Sequence, residues 1–389
     1  MFKETLKRNK GITLIALVVT IIVLLILAGI SISMLSGQNG ILNRAAEAKE
    51  KTGMANEVEQ RKLAQSEALT NMEETTYKGV TLPKGFAPTR IVGEDSIDEG
   101  LVITDGYGNE YVWIEVPKSI YKNSEYNTKG EQNSADDLEK IRECLKAYTD
   151  GYSESGYSDT NPVFELQYQN MLKSVYTNGG FWIGRYEAGL EGETSRKSHV
   201  DIMPSDKAVV KQNMIPYNYV TRKESQELAK RMNYEGCTSS LIFGVQWDLM
   251  LKFIETKKKA TDKEITTKLT SDSTKIGNYM DSLWNVTNKN AKYSKDTGKS
   301  FNPCPYEKKS KGLVLLTTGA DENFSLMNIY DIAGNVTEWT LEYDESKGYC
   351  VQRGGCFFFV GTTSAKHRMK GSSSGCGYGN GFRIGLWIE

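Results

Sequence analysis

Three short motifs near the end of the chain constrain its fold more than any other feature. They are Asn328–Thr340, Arg353-Gly-Gly355 and Gly381-Phe-Arg383. The first motif brings aromatic residues, a Gly-Asn pair and acidic side chains into one short segment. A Gly-Asn pair favours a tight turn, because both residues tolerate left-handed backbone conformations. Together with the abundance of glycine and tyrosine, this predicts a loop-rich globular domain with many turns.

The first motif also has the oxygen ligands that a hard cation needs. Asp331 and Glu338 offer carboxylate oxygens, and the carbonyls of Gly334 and Val336 can turn inward through the Gly-Asn turn. Ca²⁺ prefers flexible cages of about six to eight oxygens. We therefore predict a structural calcium site at these four residues. The alternative is a hydrogen-bonded turn without metal, whose melting temperature would ignore both Ca²⁺ and EDTA.

Composition argues against several classes of function. The 389-residue chain has a formal net charge of -1, which gives no electrostatic reason to expect a nucleic-acid partner. Its two histidines, His199 and His367, cannot by themselves supply a histidine-ligated iron or zinc site. Six cysteines in a chain of this length are not a disulfide scaffold. Two of Cys350, Cys356 and Cys376 could still pair in an exported protein.

The N-terminus predicts export and membrane anchoring. Four basic residues precede a stretch without charge from Gly11 to Asn43, and Ile12–Ile32 is almost wholly apolar. About 20 apolar residues can span a bilayer as a helix. The basic flank predicts a cytoplasmic N-terminus, with the bulk of the chain at the cell surface. A polar helical extension is expected to follow, up to residue 78.

The segment Lys10-Gly-Ile-Thr-Leu-Ile-Ala-Leu-Val-Val-Thr-Ile-Ile22 resembles the type IV prepilin signal. The resemblance implies cleavage by prepilin peptidase between Gly11 and Ile12, which leaves the apolar helix on the mature chain. Other pilins would then be partners. The family usually has Glu at the fifth mature position, whereas this chain has Ala16, which puts a role as major pilin in doubt. The alternative is an uncleaved membrane anchor.

The rest of the chain predicts an α+β domain with short strands and long loops. Gly100–Pro117 favours a hairpin, because two β-rich runs flank a Gly/Asn turn. Gly180–Glu187 favours a strand, and helices are expected at Ser225–Tyr234 and Val245–Glu255. The predicted organisation is a leader at 1–11, the anchor helix with its extension at 12–78, and the domain at 79–389. Within it, 124–168 with one short helix at 135–148 and the charged, loop-like 256–275 are expected to be insertions.

Several of these segments, in this order, resemble the formylglycine-generating enzyme/sulfatase-modifying factor family, a variant of the C-type lectin fold. The resemblance covers roughly Leu82–Glu389, and the family holds Ca²⁺ with the groups that match the four predicted ligands. One mild departure is Val-Thr-Glu-Trp in place of the usual Val-Trp-Glu-Trp. The matching segments are Gly180–Glu187, Val245–Asp248, Gly277–Tyr279, Tyr330–Trp339, Arg353–Gly355 and Gly381–Arg383.

The family's catalytic metal ligands are missing. The resemblance implies copper bound by two cysteines a few residues apart, shortly after Arg-Gly-Gly, and soft thiolates suit Cu(I). Here Cys356 stands where the family usually has Ser, and the next cysteine is Cys376. The related iron enzymes need several histidines. We therefore expect no copper and no catalysis. The alternative is an exported oxidoreductase acting on peptide or small-molecule thiols through a Cys356–Cys376 thiolate pair.

The segment Phe357–Gly379 is the candidate ligand-binding loop. Three adjacent phenylalanines cannot all face one core, so at least one is expected to point elsewhere. Aromatics among small polar residues are typical of binding loops. The position resembles the variable region of proteins diversified by retroelements, which use this lectin fold. The alternative is an ordinary last strand pair with its phenylalanines in the core. The predicted ligand-contacting residues are Phe357, Phe358, Phe359, Lys366, His367, Arg368 and Tyr378.

Taken together, the sequence predicts a pilin-like, membrane-anchored protein at the cell surface. It would be a minor pilin or adhesin whose catalytically inactive, lectin-like domain binds an extracellular protein or glycan.

Overall fold

The computed structural model describes residues 14–36, 41–70, 76–122, 126, 134–192 and 207–389. Helices and short strands are mixed along the chain, which confirms the predicted α+β class. The chain divides into two compact units, Met1–Gln60 and Arg61–Glu389. The second unit, called the main domain below, begins before residue 79 because the last turns of an N-terminal helix pack within it.

The described helices differ widely in length. The α-helices are α1 (Leu14–Ser36), α2 (Ile41–Thr70), α3 (Ser134–Tyr148), α4 (Glu165–Asn178), α5 (Arg222–Lys230), α6 (Gly244–Lys258) and α7 (Ile265–Thr270). Short 3₁₀ turns occupy Lys118–Ile120, Pro162–Phe164 and Glu322–Phe324.

The strands are short, as the sequence predicts. They are β1 (Thr76–Tyr77), β2 (Val80–Thr81), β3 (Phe86–Pro88), β4 (Val102–Asp105), β5 (Glu110–Glu115), β6 (Tyr157–Ser158), β7 (Gly180–Gly184), β8 (Gly189–Leu190), β9 (Ala208–Val209), β10 (Cys237–Leu241), β11 (Trp284–Val286), β12 (Lys292–Ser294), β13 (Asn302–Pro303), β14 (Tyr306–Lys308), β15 (Leu315–Leu316), β16 (Ser325–Leu326), β17 (Ile329–Tyr330), β18 (Thr337–Asp344), β19 (Cys350–Arg353), β20 (Arg368–Gly371), β21 (Asn380–Phe382) and β22 (Ile384–Ile388).

Two larger sheets organise the main domain. The first is antiparallel, in the order β10-β22-β7-β5-β4-β3. The second has the order β20-β19-β18-β21, with β6 also paired to β18. In it, β18 and β21 run parallel, and Glu338 lies opposite Gly381. This pairing brings the first C-terminal motif next to the last one.

The first unit holds α1 and most of α2. Apolar side chains of α1 from Leu17 to Leu27 are 47–68% exposed. Within the part of the chain that the structure describes, no helix is both long enough and apolar enough to cross a membrane. Gly11 and Ile12, between which cleavage is predicted, lie outside the described residues.

The C-terminal end of α2 belongs to the main domain and is joined to it by charge. The guanidinium of Arg61 donates to Glu94 and, at 2.7 Å, to Glu110. Arg185 bridges the same two carboxylates at 2.8 and 3.1 Å. Burial alone would raise the pKa of Glu94, but the two arginines outweigh it and lower that pKa. Charge compensation therefore holds this end of the helix, a contact that the polar sequence of the extension does not predict.

The core lies on the first sheet. Every residue of β7 is buried, and so are five of the six residues of β5. The rings of Trp113 and Trp182 meet there, with their centroids 5.0 Å apart. Helix α4 contacts β7 and β22, whereas α6 contacts β5. The central strands are thus covered on both sides, which accounts for their nearly continuous apolar sequence.

Several predicted elements are confirmed. The hairpin forms from β4 and β5, and the carboxylate of Asp105 closes its turn by accepting from the amides of Tyr107 (2.9 Å) and Asn109 (2.8 Å). The strand at 180–187 is β7. The two predicted helices appear as α5 and α6, with ends shifted by a few residues.

The prediction that residues 256–275 form a loop was wrong. Helix α6 continues to Lys258, and α7 forms within the segment. Ile265 and Leu269 are one helical turn apart and both fully buried, so they hold α7 on the core. The abundance of threonine and lysine around this one apolar pair concealed the helix.

The segment 124–168 is more integrated than a surface insertion. The predicted helix is confirmed as α3, and its Ile141 and Leu145 are fully buried. Strand β6 pairs with β18, with Tyr157 opposite Asp344. The described part of this segment therefore contributes to the core and to the second sheet.

Candidate functional site

The turn between β17 and β18 has an unusual backbone. Asp331, Gly334 and Asn335 all have positive φ, at 55°, 76° and 54°. A Cβ on Gly334 would lie 2.4 Å from the carbonyl oxygen of Asn278, so only glycine fits. The Asn335 amide group donates to Glu187 at 2.7 Å and accepts from the amide of Leu316 at 3.0 Å. These contacts explain the Gly-Asn pair as a tightly packed, hydrogen-bonded turn.

Three carboxylates are buried around this turn. Glu187, Asp331 and Glu338 are 0–2% exposed. Glu187 accepts from the amide of Val336 at 3.0 Å, and Asp331 accepts from the amide of Gly319 at 2.7 Å. We call these three residues the acidic cluster.

A guanidinium group forms an ion pair with one member of the acidic cluster. Arg383, fully buried, donates to the Glu338 carboxylate at 2.6 and 2.9 Å. It also donates to the carbonyls of Tyr330 at 2.7 Å and Gly184 at 2.9 Å. With all three carboxylates ionised, this neighbourhood has two more negative than positive charges. A buried charge imbalance of this kind is costly unless a proton or a cation removes it.

The acidic cluster shifts the pKa values of its own members. Burial, reinforced by the charges of Asp331 and Glu338, raises the pKa of Glu187 well above its ordinary value. Burial raises the pKa of Asp331 to about 7, although the Gly319 amide and Arg383 oppose the shift. Burial also raises the pKa of Glu338, despite its ion pair with Arg383. Desolvation therefore dominates, as expected for carboxyl groups removed from water.

The predicted calcium ligands suit the metal in charge and chemistry. A divalent cation would balance the two unmatched carboxylates, and carboxylate oxygens can accept several partners at once. In the described part of the chain, no group of three or more His, Cys, Asp or Glu side chains is placed to hold a metal ion. The predicted set contains only two carboxylates, because its other two ligands are main-chain carbonyls. Calcium at Asp331, Gly334, Val336 and Glu338 therefore stays a prediction.

The Arg-Gly-Gly motif belongs to a second buried charge network. Arg353 donates to Asp248 at 2.6 Å and to Glu342 at 2.7 Å. Arg368 donates to the same two carboxylates at 2.8 and 2.5 Å, and all four side chains are 0–3% exposed. The two positive and two negative charges balance. The expectation that Arg368 is an exposed ligand-contacting residue therefore does not hold, because it ties β20 to α6 and β18.

The phenylalanines and Tyr378 come together in space. Phe357 is fully buried, in contact with Leu315 and Val336, while Phe358 and Phe359 are partly exposed. This confirms that the three rings do not share one core, but it removes Phe357 from the accessible surface. The Phe358 ring lies 4.6 Å from that of Phe359 and 5.2 Å from that of Tyr378, which is 36% exposed. We call Phe358, Phe359 and Tyr378 the aromatic surface.

Hydrogen bonds to main-chain carbonyls hold the aromatic surface in place. The side-chain amide of Asn218 donates to the carbonyl of Tyr378 at 2.8 Å, and the amide of Tyr219 donates to the carbonyl of Gly377 at 2.9 Å. The Tyr219 ring also lies 6.5 Å from the Tyr378 ring. Tyr219 was not predicted as a site residue. Its positive φ of 55° marks it in the structure, but no sequence signal places it beside a loop about 160 residues later.

The basic residues of the predicted loop lie elsewhere. Lys366 donates from its amine to the carbonyl of Gly151 at 3.0 Å, and its amide donates to Leu269 of α7. His367 is exposed next to the start of β20. The predicted loop thus separates into the aromatic surface and a basic part that faces α7 and residue 151. The second histidine of the chain, His199, lies outside the described residues.

The thiol of Cys356 offers little reactivity. Cys356 is fully buried as a free thiol, and burial raises its pKa above the ordinary range of a thiol. Cys376 is a reduced, partly exposed thiol. A buried thiol held in its protonated form is a poor nucleophile and a poor metal ligand.

Glu187 is the other site residue that was not predicted. It ends the matched segment Gly180–Glu187, but no role was assigned to it. Its isolated position beside aromatic residues gave no sign that it would meet Asp331 and Glu338 across the domain.

A comparison of the chain with models of known protein families found no match, and a comparison with curated proteins found none either.

Proposed function

We propose that this protein is a surface-displayed binding protein, anchored by a pilin-like N-terminal helix. Its C-type-lectin-like main domain, of the formylglycine-generating type, would be chemically inert. The observation that supports binding best is the aromatic surface on a rigid framework. Partly exposed rings with few rotatable bonds provide contact area at low entropic cost, and binding loops use them for this reason.

The framework around the aromatic surface supports a role in presentation. Arg353, Arg368 and Arg383 are each buried and paired with carboxylates on neighbouring elements. Such networks fix the ends of the loops, while the Ser372–Ser374 stretch is exposed. A loop with fixed ends tolerates wide sequence change. Such tolerance is what a diversified binding loop needs. If a retroelement diversifies this loop, we expect a template repeat and a reverse-transcriptase gene in the flanking DNA.

The N-terminal helix supports anchoring. The apolar side chains of α1 from Leu17 to Leu27 are largely exposed, so in water they would leave a large apolar surface uncovered. A lipid bilayer or the helices of other pilins would cover it. The proposed role is that of a minor pilin or adhesin whose ligand is an extracellular protein or glycan.

Removing the exposed ring of the aromatic surface is expected to abolish most of the binding. Aromatic residues are frequent binding hot spots, so the Tyr378→Ala substitution should lower the affinity for the ligand by about tenfold or more. Arrays of purified glycans and extracellular-matrix proteins, probed with the full chain, provide the measurement. Tyr349→Ala is the matched control, since Tyr349 is similarly exposed, at 40%, on another loop. Equal binding by the Tyr378→Ala variant and the unchanged protein would contradict the proposal.

The rival function, an exported thiol oxidoreductase, requires the protein to bind copper and to oxidise thiols. Because the Cys356 thiol is buried and protonated, we expect no stoichiometric Cu(I) and no oxidation of thiol peptides by the purified protein. Metal analysis after incubation with Cu(I), together with a peptide oxidation assay, checks both. One copper per chain that is lost in both Cys356→Ser and Cys376→Ser would establish the rival function instead.

A further inference from the structure

A cleft of about 420 Å³ lies between α4 and the end of β22. It shares no residue with the acidic cluster, the aromatic surface or the basic part of the predicted loop. Its volume falls within the range of small-molecule sites, about 300–1,000 Å³. The residues that line it are Asn170, Lys173, Ser174, Thr177, Asn178, Thr238, Trp387, Ile388 and Glu389.

We propose that this cleft binds a saccharide or a similar neutral polyol. Five of its lining side chains are amides or hydroxyls, which both donate and accept hydrogen bonds, as the hydroxyl groups of a sugar do. The side chains of Lys173 and Glu389 have opposite charges, so the pair does not by itself select an anion or a cation. Ile388 provides a partly exposed apolar edge for the C–H groups of a sugar ring, and Trp387 lies buried behind it.

The polar lining is already in place on regular elements. Asn170, Lys173 and Thr177 follow one another at helical spacing on a single face of α4. The Asn178 side chain donates to the carbonyl of Ser174 at 3.0 Å, just before the left-handed cap at Gly179. The Thr238 hydroxyl donates to Glu389 at 3.0 Å, and the Trp387 ring packs 5.9 Å from that of Phe243. A ligand would therefore have to order little of the protein, which favours binding.

Saturation-transfer NMR on the full chain tests this assignment, with glucose, N-acetylglucosamine and lactose as probes. We expect transfer to at least one of them at millimolar concentration. The double variant Asn170→Ala/Thr177→Ala should bind that probe about thirtyfold more weakly, because two hydrogen bonds worth about 1 kcal/mol each are lost. Both residues are exposed, so the melting temperature should hardly change.

The control is Tyr378→Ala, which alters the aromatic surface and should leave binding in the cleft unchanged. Absence of transfer to all three sugars would overturn the proposal. So would binding that survives in the double variant and disappears in Tyr378→Ala, because the sugar would then occupy the aromatic surface. The proposal does not depend on how the chain is anchored or on what the aromatic surface binds.

Discussion

Replacing Arg383 by alanine is expected to destabilise the main domain by about 3–5 kcal/mol. The guanidinium group is the positive charge that neutralises Glu338, and it is fully buried. Its removal leaves the Glu338 carboxylate without a counter-ion and the Tyr330 and Gly184 carbonyls without their donor. The free energy of unfolding should fall accordingly, and the melting temperature by about 5–10 °C.

Chemical denaturation of the full chain, followed by tryptophan fluorescence, measures this change. The matched control is Arg44→Ala, an exposed arginine on α2, which should change stability by less than about 0.5 kcal/mol. If Arg383→Ala proved as mild as the control, the acidic cluster would not depend on Arg383, and our account of the last motif would be wrong.

In calcium-free buffer, the stability of the protein is expected to fall as the pH rises from about 4 through about 7. The cause is the folded-state pKa of Asp331, raised from its ordinary 3.8 to about 7 by burial. A carboxyl group whose pKa is raised by folding contributes its full stabilisation at pH values below its pKa in the unfolded chain. That stabilisation is lost as the group ionises in the native state. Melting temperatures in EDTA, taken across this pH range, check the direction.

Calcium should reverse the decline. A metal binds the deprotonated carboxylate, so added Ca²⁺ should raise the melting temperature at pH 7.5 and have little effect at pH 5. At a hundredfold excess over its Kd, the stabilisation would be about 2.7 kcal/mol. The variant Asp331→Asn keeps an acceptor for the Gly319 amide and should lose the calcium effect and the part of the pH dependence that Asp331 contributes. Identical melting temperatures in Ca²⁺ and EDTA at pH 7.5 would favour the metal-free turn.

The parts of the fold that the sequence predicts are those with local signals. The hairpin at 102–115 has turn residues between two β-rich runs, and α6 has apolar residues at helical spacing. Helix α7 escaped prediction because a single buried pair, Ile265 and Leu269, holds it in place. The end of α2 is joined to the rest of the main domain through Arg61, whose carboxylate partners lie far away in the sequence and are not revealed by a local pattern.

The site was predicted less completely, for a similar reason. Asp331 and Glu338 are seven positions apart and were recognised as a pair, whereas Glu187 joins them from a distant strand. Arg368 was predicted to contact a ligand because it lies within the candidate ligand-binding loop, whereas the structure buries it. Its carboxylate partner Asp248 lies 120 positions earlier in the chain, and only the fold brings the two together. Phe357 is buried for the same kind of reason, against Leu315 and Val336.

The mature N-terminus of the protein in intact cells tests the proposed function most directly. Cells that produce the full chain together with its prepilin peptidase are treated with trypsin from outside, and the membrane-bound protein of untreated cells is analysed by mass spectrometry. The proposed function predicts a chain that begins at Ile12 and a main domain that external trypsin removes. A chain that still begins at Met1, with a main domain that trypsin cannot reach, would contradict it.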